Sequence, residues 1–155
     1  FKDNLLSTRL TNEDFNNMQL AGSLQGMGQM HSTTTIPHGL GYSITHFKGV
    51  THGIANAITL PSYLRCFRDK SGVNAVLSEC GFSGLDEFEE YIGEIVRRNV
   101  NISVTDAELD AWAAECYSLK ARTEAHPEPI TQEDIRKILG RSLAGCMQNI
   151  EGGTV

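Results

Sequence analysis

Nowhere do the 155 residues contain an unbroken apolar stretch near the roughly 18 that a membrane span requires. Basic residues are also in short supply: 13 lysines and arginines against 19 aspartates and glutamates give a formal net charge of −6. A nucleic-acid footprint needs a basic face, so neither nucleic acid nor membrane is expected as a partner. The four cysteines stand alone at 66, 80, 116 and 146, and no CxxC pair exists. That argues against a zinc ribbon, a thioredoxin-type motif or a disulfide scaffold. They read as reduced, mostly buried thiols of a cytoplasmic protein. The opening Phe1-Lys2-Asp3-Asn4 has neither an initiator methionine nor an apolar signal core after the lysine, so the chain is expected to begin inside a longer reading frame. Strand signals are scarce: the β-branched runs at 33–36 and 100–104 are short and flanked by loop residues.

What is present reads as helix. The length suits one domain, 1–155, able to bury a conventional core. Thr11 with Asp14, Thr105 with Glu108 and Thr131 with Asp134 each have capping-box spacing: a hydroxyl accepts from an orphan amide, and an acid sits where the helix dipole favours it. Stripes of helical period are set by Leu85, Phe88, Ile92, Ile95 and Val96, by Leu109, Trp112, Ala113, Cys116 and Leu119, and by Ile135, Ile138, Leu139 and Leu143. The segment 18–30 interleaves Leu20, Leu24 and Met27 with Ala21, Gly22, Gly26 and Gly28. Glycine costs a helix about 1 kcal/mol against alanine, so this composition predicts a buried helix closely approached by neighbours. Pro127 and Pro129 bracket a loop.

The segment 37–61, P-H-G-L-G-Y-S-I-T-H-F-K-G-V-T-H-G-I-A-N-A-I-T-L-P, holds three of the five histidines. Pro37 suits a first helical turn and places His38 at a helix start. Gly49 supplies a turn, Thr51 caps a second helix over 53–64, and Pro61 bends or ends it. On one unbroken helix His38 and His52 would lie about 21 Å apart. A shared ion, about 2 Å from each nitrogen, therefore requires the chain to turn back at Gly49. On spacing alone, two such histidines are more often core or surface residues than metal ligands.

The run P-H-G-L-G-Y…H-F-K-G-V-T-H-G-I-A-N-A-I resembles the metal-site signature of the iron-containing alcohol dehydrogenase family. The segment from Met18 to Gly28 resembles the small-residue helix leading into it, and Pro129 to Ile135 resembles a later helix start. The resemblance implies that His38 and His52 are two metal ligands. It implies an all-α bundle of about seven helices, like the C-terminal domain of dehydroquinate-synthase-like enzymes. It further implies reversible hydride transfer between a small alcohol or aldehyde and NAD(P), with a divalent metal, Fe²⁺ or Zn²⁺, polarising the alcohol oxygen. Two further ligands and the nucleotide-binding domain would lie before Phe1, so NAD(P) would be bound mainly outside this chain, and the fragment alone would be inactive. A homodimer stays open. So do a glycerol dehydrogenase, a dehydroquinate synthase-like lyase and a non-catalytic helical interaction domain. One departure is Tyr42, which stands where many members carry a histidine; a tyrosine is a poorer proton shuttle at neutral pH.

Other candidates carry less. Gly26-Met27-Gly28 and Gly39-Leu40-Gly41 lack the third glycine and the preceding strand of a dinucleotide fingerprint, and read as helical packing. His31 reads as a loop histidine and His46 as a hydrogen-bonded neighbour of the site. His126 reads as solvated, and Asn56 as a bonding partner one turn after His52. The run Asp86-Glu87-Phe88-Glu89-Glu90 reads as a solvated helix face, and Cys66 and Cys80 as core thiols.

Overall fold

The computed structural model describes residue 6 and residues 9–144; Cys146 lies outside them. Among the described residues there are eight helices and no strand: α1 (Asn12–Gln29), α2 (Ile36–Lys48), α3 (His52–Arg65), α4 (Ser71–Glu79), α5 (Leu85–Asn99), α6 (Asp106–Ser118), α7 (Lys120–Thr123) and α8 (Gln132–Ala144). The all-α expectation holds.

All three capping boxes are formed. Asp14 N–H donates to Thr11 Oγ1 at 3.2 Å, Glu108 N–H to Thr105 Oγ1 at 3.3 Å and Asp134 N–H to Thr131 Oγ1 at 3.2 Å. The acid answers the threonine N–H in each case. The runs at 33–36 and 100–104 are loops up to the start of α2, and Val100, Ile102 and Val104 pack against the core from outside it.

That core is built by α2, α3, α6 and α8, with Val96 of α5 also buried in it. Ile36, Leu40 and Ile44 of α2 meet Ala55 and Ile58 of α3, Leu109, Trp112, Ala113 and Cys116 of α6, and Ile135, Ile138, Leu139 and Leu143 of α8. Burying each large aliphatic contributes about 1.5–3 kcal/mol. A smaller cluster of Leu77, Phe82 and Leu85 joins α4 to α5. The α2–α3 hairpin turns on Gly49, whose φ of 68° is left-handed and whose N–H donates to the Thr45 carbonyl. Pro61 does not end α3: the helix runs on to Arg65, with the proline ring buried. Glu108 accepts from Lys48 Nζ at 2.6 Å, tying the end of α2 to the start of α6.

Four expectations need correction. Helix α1 is not buried: none of its residues is, Leu20, Leu24 and Met27 are 59%, 57% and 61% exposed, and a Cβ on Gly22, Gly26 or Gly28 would meet nothing within 4 Å. Its composition asks for a partner that no described element supplies. Cys66 and Cys80 are exposed, and only Cys116 of the described cysteines is a core thiol; burial pushes its pKa up to about 11. His126 is buried, because Tyr63 of α3 and Phe67 just after it close over the ring: Tyr63 Oη lies 3.0 Å from His126 Nδ1. The acidic face of α5 is only partly solvated. Arg65 of α3 pairs with Asp86 and Glu89, and Arg141 of α8 reaches Glu89 at 3.3 Å.

Candidate metal centre

Pro37 occupies the first turn of α2 and His38 follows it; His52 opens α3. Because Gly49 folds the two helices back on each other, residues 14 apart in sequence become neighbours: His52 Nε2 lies 3.1 Å from His38 Nδ1. The rings meet edge to face with centroids 4.6 Å apart. Two nitrogens at that separation, each about 2.1 Å from one ion, subtend about 95° at it, within the range of tetrahedral and octahedral coordination.

Each ring is held by its other nitrogen. Tyr42 Oη is 3.1 Å from His38 Nε2, and Thr45 Oγ1 is 3.4 Å from His52 Nδ1. With those nitrogens protonated and donating to the hydroxyls, His38 Nδ1 and His52 Nε2 both present lone pairs to the space between them. Asn56 stands behind, its Nδ2 3.2 Å from His38 Nδ1 and its Oδ1 buried with no partner among the described residues. Gly41 makes room for that amide: a Cβ there would overlap Asn56 Oδ1 and come within 3.4 Å of His52 Cε1. The glycine pair of α2 is thus a packing device, as read; that of α1 is not.

Burial holds the His38 pKa below the usual histidine value, and the charges of His52 and Arg122 push it the same way. The neutral imidazole a metal requires is therefore favoured. Two imidazole nitrogens are donors that a borderline divalent ion accepts, but among the described residues no three His, Cys, Asp or Glu side chains converge.

His31 lies in an exposed turn. His46 is exposed and packs its ring against Phe47 at 4.7 Å, away from the His38–His52 pair. Two residues went unremarked in the sequence. Thr45 is legible in hindsight, one turn after Tyr42 on the face that meets α3. Arg122 is not: it comes from α7, and its Nη1 donates to Thr34 Oγ1 and, at 3.1 Å, to the Thr34 carbonyl.

No family model and no curated protein matches the sequence. A solved structure does: the crystal structure of an iron containing alcohol dehydrogenase is 28% identical and superposes with a TM-score of 0.75, over 86% of this chain and 36% of that one. The chain therefore spans about a third of that protein's length. In sequence and in all-helical fold alike, this chain is similar to iron-containing alcohol dehydrogenase.

Proposed function

We propose that this chain is the helical, C-terminal metal-binding part of a longer NAD(P)-dependent alcohol dehydrogenase, in which His38 Nδ1 and His52 Nε2 hold one divalent ion, Fe²⁺ or Zn²⁺. The observation that carries it is the 3.1 Å approach of those two nitrogens, each ring being fixed by a hydroxyl at its other nitrogen. When bound, the ion supplies Lewis acidity toward the oxygen of a small alcohol or aldehyde. The chain's part is to preorganise. Tyr42 and Thr45 fix the tautomers, Asn56 and Gly41 fix the spacing of α2 and α3, and the core behind Leu40 and Ile44 keeps both helix ends rigid.

Catalytic metal sites use three or more protein ligands and an open position, so further ligands and the nucleotide site belong to the rest of the longer polypeptide. Supporting this are the 36% coverage of the similar dehydrogenase and the exposed apolar face of α1. The test is metal content and turnover of the full-length protein. The wild type is expected to hold about one ion per chain and to oxidise small alcohols with NAD(P). His38→Ala and His52→Ala are each expected to lose both properties. A variant that kept wild-type metal content would remove that histidine from the ligand set.

A further inference from the structure

Thr35 stands at the N-cap of α2, just ahead of His38, and does not cap it. Thr11 and Thr105 turn their hydroxyls onto amides of their own helices; among the described residues the Thr35 side chain makes no such bond. Its hydroxyl is bonded instead to Tyr63, near the end of α3. The Thr35 carbonyl meanwhile accepts the His38 and Gly39 amides at 3.1 and 3.3 Å, so the backbone of the candidate ligand rests on this one residue.

Tyr63 is 5% exposed, and a hydroxyl placed that deep needs partners. His126 supplies the second, with Nδ1 at 3.0 Å from Tyr63 Oη. Burial favours the neutral form of His126 and keeps the proton on the Tyr63 phenol. Tyr63 therefore donates to His126 Nδ1 and accepts from Thr35, which makes one directed chain from the turn after α7 to the start of α2. The residues on either side of Thr35 are held as well. Arg122 Nη1 donates to the Thr34 carbonyl at 3.1 Å, and Cys116 Sγ to the Ile36 carbonyl at 3.8 Å. Those two grip backbone. The Tyr63 bond draws a side chain away from the helix it would otherwise cap, and packing alone does not ask for it, since a phenylalanine would fill the same space.

We infer that Tyr63, backed by His126, is a positioning residue: through Thr35 it fixes where α2 begins, and so where the His38 ring stands against His52. The consequence for an ion rests on the metal-site reading; the consequence for the start of α2 does not.

The experiment uses the full-length protein, metal-free and then with Zn²⁺. In the metal-free protein Tyr63→Phe is expected to raise hydrogen exchange at the His38 and Gly39 amides about tenfold, with α6 amides unchanged, as for local loss of a buried hydrogen bond. Thr35→Val is expected to do the same, and Thr35→Ser, which restores a hydroxyl, to exchange like the wild type. The double variant of Tyr63→Phe with Thr35→Val is expected to do no more than either single one, because both remove one bond. In the loaded protein, Zn²⁺ affinity by competition with a chelator is expected to fall about tenfold in Tyr63→Phe and Thr35→Val but not in Thr35→Ser. The absorption bands of the Co²⁺-loaded protein are expected to shift in the same two variants. Unchanged exchange at His38 in both, or a rise shared equally by α6, would overturn the inference. So would unchanged Zn²⁺ affinity in both where His38→Ala abolishes binding. If the wild type binds no Zn²⁺ but the local rise in exchange appears, the positioning role stands and the metal-site reading falls.

Discussion

One methyl group tests the packing behind His38. Gly41→Ala places a Cβ onto the Asn56 amide and against the His52 ring, so the Asn56 side chain or α3 itself must shift at the site. Overpacking of this kind costs about 1–3 kcal/mol. The variant is expected to lose metal affinity in the full-length protein by more than its stability loss explains, read by metal titration beside thermal denaturation. His126 tests pH. Burial depresses its pKa, so between the ordinary value and that lowered value the unfolded chain takes up a proton that the folded chain refuses. Stability is therefore full above the ordinary histidine range and falls as pH drops through it. His126→Gln is expected to flatten that fall between pH 7.5 and 5.5 in urea titrations; an equally steep fall would place the acid sensitivity elsewhere. Residue roles were the least legible part of the sequence. The neighbours of His126, Pro127 and Glu128, look solvated, and only the approach of Tyr63, 63 positions away in sequence, and of Phe67 buries it. Cys66 was misjudged for the same reason. Its exposure depends on how α3 ends and which elements stop short of it, and no local pattern records that.

At the scale of elements the sequence says more, because caps and turns are local. The three Thr-x-x-acid pairs need only their own helical turn to form, and all three form. Gly49 was legible because only a left-handed residue lets α2 stop and α3 return. The φ of 68° and the empty space where a Cβ would go mean that Gly49→Ala meets a purely conformational penalty, with no clash to relieve. A loss of about 1 kcal/mol is expected, or about 2–4 °C in melting temperature, with the helical content by circular dichroism unchanged. A collapse of the fold instead would mean that the hairpin is held by more than this turn. Helix α1 shows the opposite limit. Leu20, Leu24 and Met27 among glycines read as a buried helix and yet are exposed, because composition cannot say whether a covering neighbour lies within these residues. It does not. The two facts agree once α1 packs against the part of the longer polypeptide that the dehydrogenase reading requires.

For the whole molecule, the proposed function makes metal affinity a sum over ligands of which this chain would supply two. Two imidazoles, at 3.1 Å and each oriented by a hydroxyl, are preorganised but incomplete. Preorganisation removes ordering cost, yet it cannot replace the missing donors or shield the ion from water. The His38–His52 pair was legible as a motif, since its spacing and the glycine between are linear features. The donor count came only from the family resemblance, because a ligand on another element would leave no mark on this stretch. Binding stabilises the folded state by RT ln(1 + [L]/Kd), about 2.7 kcal/mol at a hundred times Kd. At micromolar Zn²⁺ the chain by itself is therefore expected to melt where it melts without metal. The full-length protein is expected to melt several degrees higher and to lose that gain on chelation. Both His38→Ala and His52→Ala in the full-length protein are expected to melt at the chelated temperature with or without Zn²⁺. Protons compete for both rings, so the gain is expected to shrink as pH falls through the histidine range. Thermal denaturation across a zinc and pH grid reads all of this at once. A zinc-dependent rise that survived in either alanine variant would put the ion on other side chains, and the His38–His52 contact would then be a hydrogen bond and nothing more.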